Sequence, residues 1–353
     1  MRILLSAGEV SGDAIGSELA AAIHEEFPQA ELAGCAGEAM LRAGVGPLAE
    51  AVDFSHAGWS SVLSRLPFLV WKAWRYLRAV DRFQPDLALV VDAPGLHGPL
   101  LRRLRSRGIP VAWVAPPQLW AWKNRRPGIL DGLEVYPSHE FEQDSLRKAG
   151  ATPHWWGYPG LRSAVTPSSP RDKLVLLPGS RPAWRRRHRE LFIQAAKQAD
   201  LPLETVLVHP DAASSGREAG LLRLSPSQAW GPAALALALP GTATLEAARW
   251  GVPTLVAAKP GWLDLQVARR RLSDGSRALP NRILSAEVFP EFYADQVDVP
   301  RLARELRSLW SRRETVCGQL EKFEERLGEP GAARLISRHF LETLGNERGG
   351  MRR

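Results

Sequence analysis

Apolar positions fall into two patterns along the chain. Runs that are apolar at nearly every position, Ile3 to Ser6, Glu31 to Cys35, Leu87 to Val91 and Val111 to Val114, read as strands. Leu87-Ala88-Leu89-Val90-Val91 in particular has the unbroken apolar character of a strand covered on both faces. Between these runs lie stretches with helical spacing, Ala14 to Glu26, Leu66 to Arg82 and Gly98 to Arg107. This alternation predicts α/β organisation around a parallel sheet with right-handed crossovers. The polar, proline-rich Thr166-Pro167-Ser168-Ser169-Pro170 reads as a linker, and the pattern restarts after it. Leu174 to Leu177, Thr205 to Val208, Leu235 to Leu239 and Thr254 to Ala258 are the expected strands, with helical sequence at Arg187 to Gln198 and Thr242 to Trp250. The last helical stretch, Pro300 to Leu344, has room for two or more helices that return to the first domain. No internal repeat is visible.

Length and composition agree with two domains: 353 residues suffice for two cores without disulfides. Cys35 and Cys317, the two cysteines, are too few for a disulfide framework or a zinc site and suit a reducing cytoplasm. The apolar run at Met1 meets Glu9 and Asp13 at once, so neither a signal peptide nor a membrane span is expected. The formal net charge of +8 favours anionic partners such as nucleotides, phospholipids or nucleic acid, without choosing among them.

Three glycine corners follow expected strands. Ala7-Gly8-Glu9-Val10-Ser11-Gly12-Asp13 ends the first strand and enters a helix, but has neither the G-x-G-x-x-G spacing of a dinucleotide fingerprint nor the Lys of a P-loop. It reads equally as a ligand loop or as a tight turn capped by Ser11 or Asp13. In the second domain Pro178-Gly179-Ser180-Arg181 brings a guanidinium to a strand end, and Gly241-Thr242-Ala243-Thr244-Leu245-Glu246 opens a helix with small residues. Both suit a diphosphate. Glu246, one helical turn on, is placed to accept from ribose hydroxyls. Each alone reads also as a surface arginine or an ordinary cap. Asp92, just past the carboxyl end of the Leu87 to Val91 strand and followed by Ala93-Pro94-Gly95, is a candidate base, or else an Asx turn. Trp120-Ala121-Trp122 beside Lys123, Arg125 and Arg126 suits a sugar or lipid phosphate, or a plain hydrophobic corner.

Taken together, Ala7 to Asp13, Val91-Asp92-Ala93-Pro94, Trp120-Ala121-Trp122, Leu177 to Arg181, Gly241 to Glu246 and Leu279-Pro280-Asn281 stand in the order and approximate spacing of the lipid-A-disaccharide synthase family, which the chain resembles over most of its length. The resemblance implies a GT-B glycosyltransferase. Its two Rossmann-like domains would face each other across a cleft: residues 1–165 with a returning helix near 330–348, and residues 171–325. It implies transfer of a 2,3-diacylglucosaminyl unit from UDP to the 6-hydroxyl of 2,3-diacylglucosamine 1-phosphate (lipid X), with inversion and with no metal or other cofactor. By carry-over, Asp92 would be the base and Arg181 the partner of the UDP phosphates. Gly179, Ser180, Gly241, Thr242, Ala243, Thr244, Glu246 and Asn281 would line the UDP-sugar site. Glu9, Ser11, Gly12, Trp120 and Trp122 would border the acceptor.

Two lipid substrates further imply an anionic membrane surface, so the protein is expected in the cytoplasm, peripheral on the inner face of the cytoplasmic membrane. Trp59, Phe68, Trp71 and Trp74, interleaved with Arg65, Lys72, Arg75 and Arg78, form a basic-aromatic stretch that suits this role, and equally suits a core helix with a solvated cationic face. The run Trp184 to Arg189 extends the phosphate site or is a solvated helix face. No nucleic acid is expected as partner, and a homodimer is left open. The chain departs from the family pattern at Gly95 for Asp, Leu96-His97 for Phe-Asn, Tyr158 for His, Pro240 for Ser and Ala294 for Gln. A related UDP-sugar transferase or epimerase with another acceptor, or a catalytically weakened basic binding protein, are the alternative readings.

Overall fold

The first strand, β1 (Arg2–Ala7), is an interior strand of a seven-stranded sheet. Its side chains divide by the period of two. Ile3, Leu5 and Ala7 enter one core layer and Leu4 the other, so the sheet is buried on both faces. The structure is a computed structural model that describes residues 1–50, 59–121, 128–161, 171–209, 216–271, 273 and 275–346. The expected linker at Thr166 to Pro170 falls outside the described residues.

After β1 come α1 (Val10–Glu26), β2 (Glu31–Ala36), α2 (Glu38–Arg42), β3 (Gly46–Glu50), α3 (Trp59–Phe83), β4 (Leu87–Val91), α4 (Pro94–Arg105), β5 (Val111–Val114), β6 (Glu134–Tyr136), α5 (Gln143–Lys148) and β7 (Thr152–Pro153). The strand order is β3-β2-β1-β4-β5-β6-β7, all parallel. Connections therefore reverse direction between β1 and β4, the place where a doubly wound sheet opens to a ligand at its carboxyl edge.

A second sheet begins at β8 (Lys173–Leu177) and continues through α6 (Pro182–Ala199), β9 (Glu204–Val208), β10 (Gly216–Glu218), β11 (Leu221–Leu224), α7 (Pro226–Ala229), β12 (Ala233–Ala238), α8 (Thr242–Arg249), β13 (Thr254–Ala258), α9 (Trp262–Arg271), α10 (Leu279–Ile283) and β14 (Glu291–Tyr293). Its order is β10-β11-β9-β8-β12-β13-β14, parallel except for the β10–β11 hairpin, and its switch point lies between β8 and β12. Helices α11 (Val299–Ser311) and α12 (Arg313–Leu320) complete this part.

The chain divides into two compact units, Met1–Ser163 with Arg271–Ser273 and Leu327–Arg353, and Ala164–Arg270 with Asp274–Arg326. The final helix, α13 (Ala332–Asn346), belongs to the first unit. It buries Ile336, Phe340, Leu341 and Leu344 against the α1 side of the sheet, and Arg334 and Arg338 pair with Glu25 and Glu26 at 2.7 and 2.9 Å.

Several elements differ from the expectation. Helix α1 begins at Val10 instead of Ala14, so most of the first glycine motif is helix and not loop. Helix α3 starts seven residues earlier than the apolar spacing indicates, at Trp59. Strands β3, β6, β7, β10, β11 and β14 were not expected: most are three residues or shorter, or contain Pro or Gly, and are held by sheet neighbours more than by a pattern of their own.

Candidate functional site

The carboxyl edge of the first sheet is built around Asp92. Strand β4 ends at Val91, and Asp92 and Ala93 then adopt left-handed backbone conformations, φ 52° and 47°, before Pro94 starts α4. Two successive non-glycine residues there cost on the order of 1–2 kcal/mol each, so the turn persists only because its surroundings fix it. The fixing contacts are explicit. The Asp92 N–H donates to the Val114 carbonyl at 2.9 Å, and the Asp92 carbonyl accepts from His97 Nδ1 at 2.7 Å and Trp113 Nε1 at 3.1 Å. The Ala93 carbonyl receives the N–H groups of Leu96 and His97 at 3.0 and 2.9 Å. A carboxylate on a sharp strand-to-helix turn is thereby presented half-exposed at the sheet edge.

The first glycine motif serves this turn. A Cβ on Gly8 would lie 2.5 Å from Ala93 Cβ, so only glycine lets the end of β1 approach the Asp92 turn. Gly12, in α1, is buried beside Ala7 and Val91. Glu9 is the residue before the helix and Ser11 lies in its first turn, both half-buried, and neither caps α1. Asp13 is buried, and its carboxylate accepts from the N–H groups of Gly37, Ala39 and Met40 at 2.8, 2.9 and 3.1 Å. It therefore caps α2, the helix after the next strand, and not its own helix.

Two further strands contribute to the edge. Trp120 follows β5 in a short helical turn, and its Nε1 donates to Glu142 Oε1 at 2.9 Å. Glu142 follows β6, is buried, and also accepts from the His139 N–H at 3.1 Å. Burial pushes the Glu142 carboxyl up to about 7, the indole and backbone N–H donors oppose this, and the charge of Asp92 adds a little to the rise. His139 stacks between Phe141 and Tyr158, both ring centroids 5.6 Å away, and burial brings its pKa down to about 4. Glu142 and His139 carry no sequence signal that singles them out, since Ser-His-Glu-Phe-Glu reads as an ordinary helix start. Trp122 lies outside the described residues.

In the second unit the two corners stand at the ends of neighbouring strands, β8 and β12. Gly179 has φ 104° and a Cβ there would meet Leu239 at 2.6 Å, so this corner too needs glycine. Ser180 and Arg181 are exposed, and Arg181 is the residue before α6. Gly241 and Thr242 are exposed at the start of α8, and Ala243 is half-buried. The amino ends of two helices thus meet one strand pair, a setting that favours an anion. Thr244 differs from its neighbours: it is buried and its hydroxyl donates back to the Gly241 carbonyl at 2.7 Å. Glu246 is half-exposed and pairs with Arg249 at 3.4 Å, while Arg249 is held by Glu324 at 3.2 Å.

Asn281 is buried and fully engaged within the protein. Its Nδ2 donates to the Phe289 carbonyl at 2.7 Å and Glu291 Oε1 at 2.8 Å, and its Oδ1 accepts from the Val288 and Phe289 N–H groups at 2.9 and 2.8 Å. Glu291, which the sequence did not single out, also accepts from the N–H groups of Arg277 and Ala278 at 2.7 and 3.0 Å and from the Tyr293 hydroxyl at 2.5 Å. Asn281 is thus part of the scaffold around Glu291. The arginine run of α6 divides: Arg185 binds the Ser180 carbonyl at 2.8 Å and braces the corner, whereas Arg189 pairs with Glu218 at 2.6 Å. His188 donates from Nδ1 to the Trp184 carbonyl at 2.9 Å and accepts the Lys259 N–H at 2.8 Å, tying α6 to the loop after β13.

Helix α3 has two faces. Tyr76 and Val80 are buried, while Phe68, Trp71 and Trp74 are 50%, 47% and 49% exposed. Lys72, Arg75 and Arg78 lie over these three rings at 4.9, 4.8 and 3.9 Å. The side chain of Trp59, at the start of the helix, is outside the described residues. Among the described residues no helix is long and apolar enough to cross a membrane.

Comparison with known proteins accords with this geometry. Residues 3–329 match the model of the lipid-A-disaccharide synthetase family. The chain is 29% identical over 97% of both chains to a lipid-A-disaccharide synthase of Myxococcus xanthus, and 30% identical over 94% of both to that of Syntrophus aciditrophicus. Among solved structures it is similar to a putative UDP-N-acetylglucosamine 2-epimerase from Listeria monocytogenes (TM-score 0.65, 14% identity, 97% of each chain) and to MurG of Acinetobacter baumannii (TM-score 0.54, 14% identity, 97% and 99%). At that identity the structural likeness establishes the fold, that of GT-B glycosyltransferases and epimerases. The chain belongs to the lipid-A-disaccharide synthetase family and is a glycosyltransferase of lipid A biosynthesis.

Proposed function

We propose that the first unit takes a diacylglucosamine 1-phosphate acceptor and the second a UDP-diacylglucosamine donor, with Asp92 as base and Arg181 as leaving-group partner. The Asp92 carboxylate takes the proton of the acceptor 6-hydroxyl as that oxygen attacks the anomeric carbon of the donor. The bond from that carbon to the diphosphate oxygen breaks, and UDP leaves. Negative charge grows on the departing diphosphate, so fixed positive groups there lower the barrier. The Arg181 guanidinium and the free N–H groups at Thr242 and Ala243 are suited to supply that stabilisation without a divalent ion.

The observation that carries the reading is the Asp92 turn, a strained backbone fixed by five hydrogen bonds that leaves one carboxylate half-exposed at the switch point. Gly8 and Gly12 act behind it, and Glu9, Ser11 and Trp120 border the acceptor. Gly179 and Ser180 shape the phosphate corner, Glu246 holds the ribose, and Thr244 and Asn281 hold backbone behind the ligand. The exposed Phe68, Trp71 and Trp74, with their cations, dock α3 on an anionic membrane surface at the cytoplasmic face, where both lipid substrates reside. A test is incubation with UDP-2,3-diacylglucosamine and 2,3-diacylglucosamine 1-phosphate, followed by mass analysis. The expected product is the tetraacyl disaccharide 1-phosphate with one equivalent of UDP. Release of UDP without disaccharide, or turnover only with another acceptor, would overturn the assignment.

A further inference from the structure

Beneath Asp92 lies a buried polar chain drawn from three elements. His97 of α4 places Nδ1 2.7 Å from the Asp92 carbonyl and Nε2 2.9 Å from Ser6 Oγ of β1, and Ser6 Oγ is 2.7 Å from the Tyr76 hydroxyl of α3. Ser6 and His97 are fully buried and Tyr76 nearly so. The directions of these bonds follow from what each atom can do. A carbonyl only accepts, so Nδ1 carries the ring proton. Burial brings the His97 pKa down to about 4, so the ring is neutral at physiological pH and Nε2 is an acceptor. The Ser6 hydroxyl must then donate to Nε2, and its oxygen is left to accept from Tyr76. Every bond is satisfied in one sense only, from Tyr76 through Ser6 and His97 to the Asp92 carbonyl.

We propose that His97, fixed in its Nδ1–H tautomer by Ser6 and Tyr76, is a positioning residue that locks the left-handed Asp92 turn and so aims the Asp92 carboxylate. This rests on Asp92 being the base. The Ser6–His97 spacing resembles that of a nucleophile and its base, but both are sealed from solvent and the third partner is a carbonyl, so the chain holds backbone and does not act on substrate. Trp113 supplies the other donor to the same carbonyl, and its ring lies edge-on to His97 with centroids 6.4 Å apart. Removing the His97 ring therefore leaves the Asp92 carbonyl with one side-chain donor where it had two, and loosens the turn that aims the carboxylate.

The experiment compares two variants of similar polarity. In His97→Asn the amide nitrogen takes the place of Nδ1 and keeps the bond to Asp92. In His97→Gln the amide reaches the place of Nε2 and loses it. With both substrates, His97→Gln is expected to lower kcat by about 10–100-fold, the scale of a misplaced catalytic group, with KM and UDP affinity within about twofold; His97→Asn is expected to stay within about threefold in kcat. Equal losses in the two variants, or unchanged kcat in His97→Gln, would overturn the proposal. A second readout is spectroscopic: among the eight histidines of the labelled enzyme, the 15N resonance set that His97→Asn removes should show, at pH 7, Nδ1 protonated and Nε2 bare. The opposite tautomer would overturn the relay. Asp92→Ala run beside these separates the two claims. If it stays active the base assignment fails, and if it is inactive while His97→Gln is fully active only the positioning role fails.

Discussion

Replacing Asp13 by Ala should destabilise the first unit without touching the chemistry. Asp13 is 7% exposed, and its carboxylate accepts three backbone N–H groups, from Gly37, Ala39 and Met40, at 2.8 to 3.1 Å. Hydrogen bonds to a charged group contribute about 1.5–3 kcal/mol each, and three that share one carboxylate do not add independently. Water also reaches part of the vacated space, so a loss of about 3–5 kcal/mol is expected. At roughly 2–4 °C per kcal/mol for a domain of this size, the melting temperature of the first unit should fall by about 6–20 °C. Thermal unfolding measures this, and hydrogen exchange of the peptide spanning Gly37 to Ala43 localises it: those amides should lose protection ahead of the rest of the sheet. Near the ordinary assay temperature the folded fraction should keep its kcat. An Asp13→Ala protein that melts like the parent but has lost turnover would refute the structural role and move Asp13 into the site.

Glu142→Gln tests the buried carboxyl through pH. The folded pKa of about 7 lies above the ordinary carboxyl value, so the unfolded chain holds fewer protons than the folded one between about pH 4.5 and 7. This group alone therefore makes stability fall as pH rises through that window, by on the order of 3 kcal/mol, and denaturant titrations of wild type minus variant should show that slope and a plateau above pH 7; a flat difference would refute the shift. For the donor side, Arg181→Ala should weaken UDP binding by about 10–100-fold in calorimetry, the scale of charge-assisted hydrogen bonds to phosphate, and unchanged affinity would remove Arg181 from the site. For the membrane, Trp71→Glu with Trp74→Glu should reduce flotation with phosphatidylglycerol vesicles by at least about tenfold while leaving turnover of detergent-dispersed substrates intact, and equal flotation would place docking elsewhere.

The sheet cores were legible because parallel strands buried on both faces are apolar without interruption, as in Leu87 to Val91 and Leu174 to Leu177, all buried. The switch-point corners were legible because Gly8, Gly179 and Gly241 punctuate strand ends. What the pattern does not carry is the direction of side chains. Asp13 reads as a cap for its own helix and instead caps one 25 residues on. Asn281 looks like a ligand contact and is consumed by Glu291 and the backbone around it. Conversely His97, Ser6 and Tyr76 sit far apart in ordinary apolar surroundings, and only the fold brings them beneath Asp92. Glu142 is hidden for the same reason, one acid among several in a polar segment until burial sets it apart.

The central claim is that Asp92 removes the acceptor proton, and the most direct measurement is single-turnover transfer by Asp92→Asn at saturating concentrations of both substrates. The side chain keeps its size and the turn keeps its backbone hydrogen bonds, so UDP affinity and melting temperature should match the parent. The rate constant for disaccharide formation should fall by about 10²–10⁴-fold, the ordinary contribution of a positioned base. A rate within a few-fold of the parent, with binding and stability unchanged, would contradict the account.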